Sequence, residues 1–264
     1  GMSDESPAQD LDMTGKTVIV TGGTKGIGRV ISTTFLERGA DVVVCGRSSP
    51  DWLPRAGDRE AVFVAADVRD PEQVEAVVRT AVDRTGRLDV LVNNAGGAPE
   101  AESATVSPRF NASIIDLNLT APFTIAQQAT AVMQDQDEGG DIINVASVRG
   151  NRPSPGSAAY GAAKAGLLSL TSTLAVEWAP KVRVNAITAG LIRTEQAHLH
   201  YGNEAGIAAV AETIPLGRMG EPEDIANVCL FLASPLASYV SGGSILLHGG
   251  GEAPAFRQAA NPGG

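Results

Sequence analysis

The chain predicts an α/β fold: a Rossmann-type, doubly wound, seven-stranded parallel sheet in three α/β/α layers. Three observations carry that expectation. Short β-branched runs alternate with longer helical stretches along nearly the whole chain. The runs are almost continuously apolar, as in strands covered on both faces. The first run passes straight into a glycine-rich turn that opens a helical stretch.

The runs are TVIVTGG (17–23), DVVVCGR (41–47), AVFVAAD (61–67), LDVLVNNAG (88–96), DIINVAS (141–147), VRVNAIT (182–188) and SILLHGG (244–250). Helical crossovers between them make the sheet parallel and doubly wound. The best defined helix spans 71–85, where Val74, Val77, Val78, Ala81 and Val82 form one stripe behind Pro71 in the first turn. The connection after the second strand holds Pro50 and Pro54, which limits any helix there to a turn or two. There is no linker and no internal repeat, so residues 13–251 read as one domain between tails at 1–12 and 252–264.

Composition narrows the function. A formal net charge of -10 argues against nucleic acid and against anionic membrane surfaces, which need clustered Lys and Arg. No apolar run approaches the ~18–20 residues of a membrane span. The acidic start, GMSDESPAQDLDM, has neither the basic nor the apolar region of a signal peptide. Cys45 and Cys229 sit in apolar stretches and read as buried free thiols. A reducing, cytoplasmic location is expected.

The turn after the first strand is TGGTKGIG, residues 21–28. Gly22, Gly26 and Gly28 stand where a backbone turns tightly and approaches a pyrophosphate without a Cβ in the way. The following helix presents free N–H groups and a positive dipole end to the anion. The spacing is G-x-x-x-G-x-G, and a tight strand–helix loop is the plain alternative.

Further motifs follow in order: Asp67-Val68, NNAG at 93–96, Asn118, Ser147, and Tyr160 four residues before Lys164. Together with TGGTKGIG they resemble the short-chain dehydrogenase/reductase family, in its compact branch that includes 3-oxoacyl-thioester reductases. The resemblance covers roughly residues 14–251. It implies a nicotinamide cofactor held by Gly22, Thr24, Lys25, Gly26, Ile27, Gly28, Arg47, Ser48, Asp67, Val68, Asn94, Ala95, Gly96, Tyr160, Lys164, Gly190, Ile192 and Thr194. It also implies a small-molecule substrate and a homotetramer, with the helix bearing Tyr160 (Leu167, Leu168, Leu170) and the last strand as contact surfaces.

The adenosine end separates the two nicotinamide cofactors. NAD sites place an acid after the second strand to bind the ribose 2′-OH, whereas a 2′-phosphate needs a cation. This chain has Gly46-Arg47-Ser48 there, and Lys25 in the turn. NADP is favoured and NAD possible; Arg47 also reads as an ordinary solvated charge. By resemblance, Asp67 contacts the adenine.

Carbonyl reduction needs a hydride from the cofactor and an acid from the protein. Lys164 lies one helical turn from Tyr160, on the same face. Opposite charges ~4 Å apart at an effective dielectric of ~20 gain about 4 kcal/mol, enough to move a tyrosine from ~10 towards neutral pH. Spacing alone equally fits a packed aromatic beside a solvated amine. Ser147 ends the fifth strand, where such sheets bind ligands, and its hydroxyl can orient the substrate oxygen towards Tyr160. In the family the residue equivalent to Asn118 holds a water that links Lys164 to solvent. No metal is required.

The chain departs from the family in two places. Ala189-Gly190 stands where Pro-Gly is usual, and His248 where an acid is commoner. His248 reads first as a structural histidine. His198 and His200 form an H-x-H pair without a convincing carboxylate or cysteine partner, and so read as surface or pocket lining. The segment 195–214 is expected to carry substrate specificity, and Leu199, Tyr201 and Ile207 point to a partly apolar substrate. The expected activity is interconversion of a ketone and a secondary alcohol, of a 3-oxoacyl thioester or an alicyclic, steroid-like ketone. The alternative is a non-catalytic cofactor-binding redox sensor or scaffold, which loss of Tyr160 or Lys164 would have favoured.

Overall fold

The computed structural model describes residues 10–260. Its strands are β1 (Thr17–Thr21), β2 (Asp41–Gly46), a small hairpin β3 (Arg55–Ala56) and β4 (Arg59–Glu60), β5 (Val62–Ala65), β6 (Val90–Asn93), β7 (Gly140–Ser147), β8 (Val182–Ala189) and β9 (Ser244–Leu247). The hairpin occupies the connection where a short helix was admissible, and its strands pair antiparallel. The other seven strands form one parallel sheet in the order β5-β2-β1-β6-β7-β8-β9. Every expected run therefore contains a strand; β7 and β8 run one residue beyond theirs and the other five are shorter.

The helices are α1 (Gly26–Glu37), α2 (Pro71–Thr85), α3 (Pro108–Ile115), α4 (Ala121–Met133), α5 (Ala158–Glu177), α6 (Ala197–Tyr201), α7 (Glu204–Glu212), α8 (Pro222–Ala233) and α9 (Ala255–Ala259). A π-helical turn, 116–120, joins α3 to α4. Local signals set the bounds of α2. The Asp70 carboxylate caps Glu72 N at 3.0 Å, Pro71 occupies the first turn, and Gly86 closes the helix with φ of 78°.

Continuous apolarity is explained by two cores. Side chains alternate across a strand, so Val18 and Val20 pack into one layer and Ile19 into the other. The first layer holds Ile31 and Phe35 of α1 with Ile225 and Leu230 of α8. The second holds Val74, Val77 and Val78 of α2 with Ile125, Met133 and Leu174. Each fully buried side chain of this kind contributes roughly 1.5–3 kcal/mol of transfer free energy.

Cys45 and Cys229 are free, buried and divided between the two layers. Burial pushes the Cys45 thiol up to about 11, and the Cys229 thiol upwards as well. Both are inert small hydrophobes.

Two expectations change. The segment 252–260 is not a plain tail: it carries α9, and Glu252 pairs with Arg152 at 2.6 Å. Leu167 is no assembly surface, because it is 1% exposed inside the chain's own core, and Leu170 also packs inwards. Part of the expected N-terminal tail, residues 1–9, lies outside the described residues. Leu11 packs on the first core, and the Asp12 carboxylate accepts from Thr14 N at 3.0 Å.

Candidate active site

β1 lies between β2 and β6, so the crossovers on its two sides diverge there and leave a crevice at the strands' carboxyl ends. Two cavities, of about 400 and 300 Å³, open along this edge and share Gly96. Both fall within the range of ligand sites, roughly 300–1,000 Å³.

The glycines of the first turn divide their work. Gly22 and Gly26 adopt φ of 60° and 49°, the left-handed region that favours glycine. A Cβ on Gly26 would meet nothing within 4 Å, so that position faces open space. At Gly28 a Cβ would fall 2.1 Å from Gly22 O and 2.4 Å from Asn94 Nδ2, so glycine there lets α1 pack onto its own turn. Asn94 Nδ2 ties the turn down by donating to Thr21 O and Gly22 O at 3.2 and 3.3 Å. The N-cap of α1, Lys25, makes no side-chain cap, and the first helical turn holds no acid. That donor set suits an anion.

The larger cavity is lined by Gly22, Thr24, Lys25, Arg47, Ser48, Asp67, Val68, Ala95 and Gly96, as the resemblance implied, and also by Arg69. Arg69 escaped the sequence reading; its one signal was a basic residue two places after Asp67. Its Nε and Nη2 donate to the Asp67 carboxylate at 3.0 and 2.9 Å, and this guanidinium holds the Asp67 pKa below the usual carboxylate range. Arg69 N also donates to Asp67 Oδ1, at 3.0 Å. A carboxylate has about four acceptor positions, so one on Oδ2 is left for an amine. Arg47 and Ser48 are exposed at the rim.

The smaller cavity brings together Ile27, Asn94, Ser147, Tyr160, Lys164, Gly190, Ile192 and Thr194. Ser147 ends β7, paired with Ala189 of β8. Tyr160 and Lys164 sit on one face of α5, with Lys164 Nζ 5.5 Å from the tyrosine ring centroid. Lys164 is 4% exposed, and burial pulls its amine down to about 8. Its Nζ donates to Val145 O at 2.9 Å. Burial raises the Tyr160 pKa, and Ser147 and the Arg149 charge pull it back.

Asn118 lies in the π-helical turn and is fully buried. Its Oδ1 accepts from Gly97 N, and its Nδ2 donates to Gly97 O and Ile114 O, all at 2.9 Å. The side chain thus clamps the strand-end backbone. Asn118 Oδ1 and Lys164 Nζ lie 2.6 and 3.3 Å from where a Cβ on Gly96 would sit, so both converge beside that glycine. Asn93, one residue earlier in the NNAG element, points into the core. It donates to Asn144 Oδ1 at 2.9 Å, and Asn144 Nδ2 donates to Thr171 Oγ1 at 3.0 Å.

The wall contributed by α6 and its flanks holds His200 and Tyr201, while His198 lines a neighbouring recess. The two histidines therefore do not face one site. His248 packs on glycines: a Cβ on Gly190 would lie 2.6 Å from its Cβ, and one on Gly251 3.0 Å from its Nε2. Gly190 also donates its N–H to Leu247 O at 2.7 Å, so the turn survives without proline.

A parallel α/β sheet with a glycine turn at its switch point has the architecture of a dinucleotide-binding protein, and a cavity holding Ser147, Tyr160 and Lys164 lies beside that turn. Comparison with known proteins agrees. A family described as enoyl-(acyl carrier protein) reductase matches residues 13–252. A 3alpha-hydroxysteroid dehydrogenase of Mediterraneibacter gnavus is 39% identical over 236 residues, which is 86% of this chain and 93% of that one. A 3-oxoacyl-[acyl-carrier-protein] reductase of Chlamydia pneumoniae is 38% identical over 248 residues, 91% of this chain and 98% of that one. The crystal structure of a short-chain type dehydrogenase/reductase from Mycobacterium marinum is 33% identical, with a TM-score of 0.83, and the match covers 94% of this chain and 100% of that one. The chain belongs to the short-chain dehydrogenase/reductase family: it is a nicotinamide-dependent oxidoreductase acting on the alcohol or carbonyl group of a small molecule. No helix among the described residues is long and apolar enough to cross a membrane.

Proposed function

We propose that this chain interconverts a ketone and a secondary alcohol with NADP(H), using Tyr160 as the general acid and base. The observation that carries the reading is the convergence of Ser147, Tyr160 and Lys164 in one cavity that adjoins the glycine turn through Gly96. The nicotinamide cofactor supplies or accepts the hydride when bound. The Tyr160 hydroxyl donates its proton to the substrate oxygen in reduction and takes it back in oxidation. Ser147 holds that oxygen towards Tyr160. Lys164 anchors through Val145 O and keeps its other donors for a ribose hydroxyl. Asn118 holds the Gly97 backbone, which sets the floor on which the cofactor and Lys164 meet.

NADP is the better fit because Lys25, Arg47 and Arg69 line the adenosine end, where the one acid, Asp67, is already paired with Arg69. The remaining cofactor contacts are those the larger and smaller cavities offer, including Ile192 and Thr194. A 3-oxoacyl thioester and an alicyclic or steroid-like ketone are the substrate classes supported by the relatives. Residues 13–251 act as one domain, in a cytoplasmic setting that keeps both thiols reduced. Assembly is a homotetramer through exposed apolar groups on the α4–α5 side (Phe123, Val176) and around β9 (Leu236, Leu246).

The test is nicotinamide absorbance over time with NADPH and NADH, against a panel of ketones and 3-oxoacyl thioesters, for the native chain and Tyr160→Phe. General acid catalysis contributes about 10²–10⁴ in rate, so the variant loses at least that factor on any substrate found. NADPH binding, followed by its fluorescence, stays intact. Near-native turnover by Tyr160→Phe would remove Tyr160 from the mechanism.

A further inference from the structure

Among the described residues, each partly buried arginine but one has a carboxylate within reach. Arg29 has Glu195, Arg69 has Asp67, Arg87 has Asp89, Arg152 has Glu252 and Arg183 has Asp141. The exception is Arg149, which is half-buried in the wall of the catalytic cavity. Its guanidinium makes one hydrogen bond to the protein, from Nη1 to Ser157 Oγ at 3.2 Å. Ser157 is itself buried and linked to Ser154, so the guanidinium is aimed by a fixed partner. The guanidinium carbon stands 5.9 Å from the Tyr160 ring centroid.

The cavity offers that cation nothing negative. Its lining contains Arg149, Lys164 and His200 but no Asp or Glu, in a chain whose net charge is -10. A guanidinium presents five N–H donors in a planar fork that matches a carboxylate, and leaving it partly desolvated without an anion is costly.

We propose that Arg149 is a specificity-determining residue that binds a carboxylate on the substrate, a few bonds from the carbon that Tyr160 serves. The substrate class is then a keto acid and its hydroxy acid, open-chain or alicyclic. A neutral steroid has no such group, and the phosphates of an acyl thioester lie at the far end of a long arm. This inference rests on the reading of Tyr160 as the acid of the same cavity. Its location favours substrate over cofactor: Arg149 lines the cavity of Ser147 and Tyr160 and not the one lined by Gly22, Thr24 and Lys25.

The experiment compares 3-oxo and 4-oxo carboxylic acids with their methyl esters as substrates for NADPH oxidation, in the native chain, Arg149→Gln and Arg149→Lys. In parallel, malonate and its dimethyl ester are titrated against the NADPH-bound protein by fluorescence. The expected result is a preference for acid over ester in kcat/KM that falls on the order of tenfold to hundredfold in Arg149→Gln, through KM, and is partly restored by Arg149→Lys. Malonate is expected to bind the native chain and lose at least tenfold in Arg149→Gln. Equal use of acid and ester by the native chain, or a preference that Arg149→Gln leaves unaltered, overturns the inference while the Tyr160 reading stands. With no turnover of any of these compounds, malonate binding decides the inference: Arg149-dependent binding keeps the anion site and its absence overturns it, while the Tyr160 reading is decided separately by the ketone and thioester panel.

Discussion

At the scale of single residues, the site is governed by what each polar group gives up on burial. Lys164 is the clearest case, because desolvation alone brings its amine from 10.5 to about 8. Below pH 8 it is charged in both folded and unfolded chains, and folding bears the full cost of burying it. Between pH 8 and 10.5 the unfolded chain binds more protons, so stability rises with pH across that window. Lys164→Met is expected to melt a few degrees higher at pH 7, to lose that pH dependence, and to abolish turnover. A lower melting temperature would mean that the bond to Val145 O outweighs desolvation. At the other end of the site, Arg47→Asp places an acid where a 2′-phosphate would sit. The ratio of kcat/KM for NADPH over NADH should fall at least tenfold; an unchanged ratio removes Arg47 from cofactor choice.

At the scale of elements, the decisive junction is β1 to α1. Gly26 and Gly28 are two residues apart and fail for different reasons. Gly26→Ala meets open space and costs about 1 kcal/mol, from its left-handed conformation alone. Gly28→Ala drives a methyl into Gly22 O and Asn94 Nδ2, neither of which has room to move while Asn94 holds the turn. It is expected to lower stability by several times more and to weaken NADPH binding at least tenfold, measured by melting and fluorescence titration. Equal effects of the two substitutions would contradict this division of labour. The π-helical turn between α3 and α4 works in the same spirit. It lets a long helical stretch carry Asn118 inwards, where its amide meets both backbone groups of Gly97.

At the scale of the whole molecule, the two ends of the sheet behave differently with pH. Opposite the cavities, Asp141 at the start of β7 pairs with Arg183 at 2.8 Å, yet burial pushes its carboxyl from 3.8 to about 7. Between those values the folded chain holds more protons than the unfolded one, so stability falls as pH rises from about 4 to 7 and then levels off. One such group contributes at most about 1.4 kcal/mol per pH unit. Arg183 also donates to Ala237 O, Val240 O, Leu232 O and Ser234 O, so it is not orphaned without its acid. Asp141→Asn is therefore expected to flatten this slope and to match or exceed the native chain at pH 7.5, by urea unfolding at pH 5 and 7.5. A variant that keeps the slope would place its origin elsewhere.

What the amino-acid sequence determined by itself was the architecture and the residues that line the candidate site. Apolar period, helix caps and glycine positions are local properties, and they announced the strands, the span of α2, the turn at 21–28 and the pairing of Tyr160 with Lys164. Tertiary structure alone decided how those groups meet. That Gly28 answers to Asn94, that Asn118 clamps Gly97, and that Leu167 belongs to the core depend on contacts between distant segments. So do the presence of Arg69 at the adenosine end and of Arg149 beside Tyr160. A basic residue reads the same in sequence whether it is solvated or aimed into a cavity, because its chemistry depends on which carboxylates the fold brings within reach and how much water it removes.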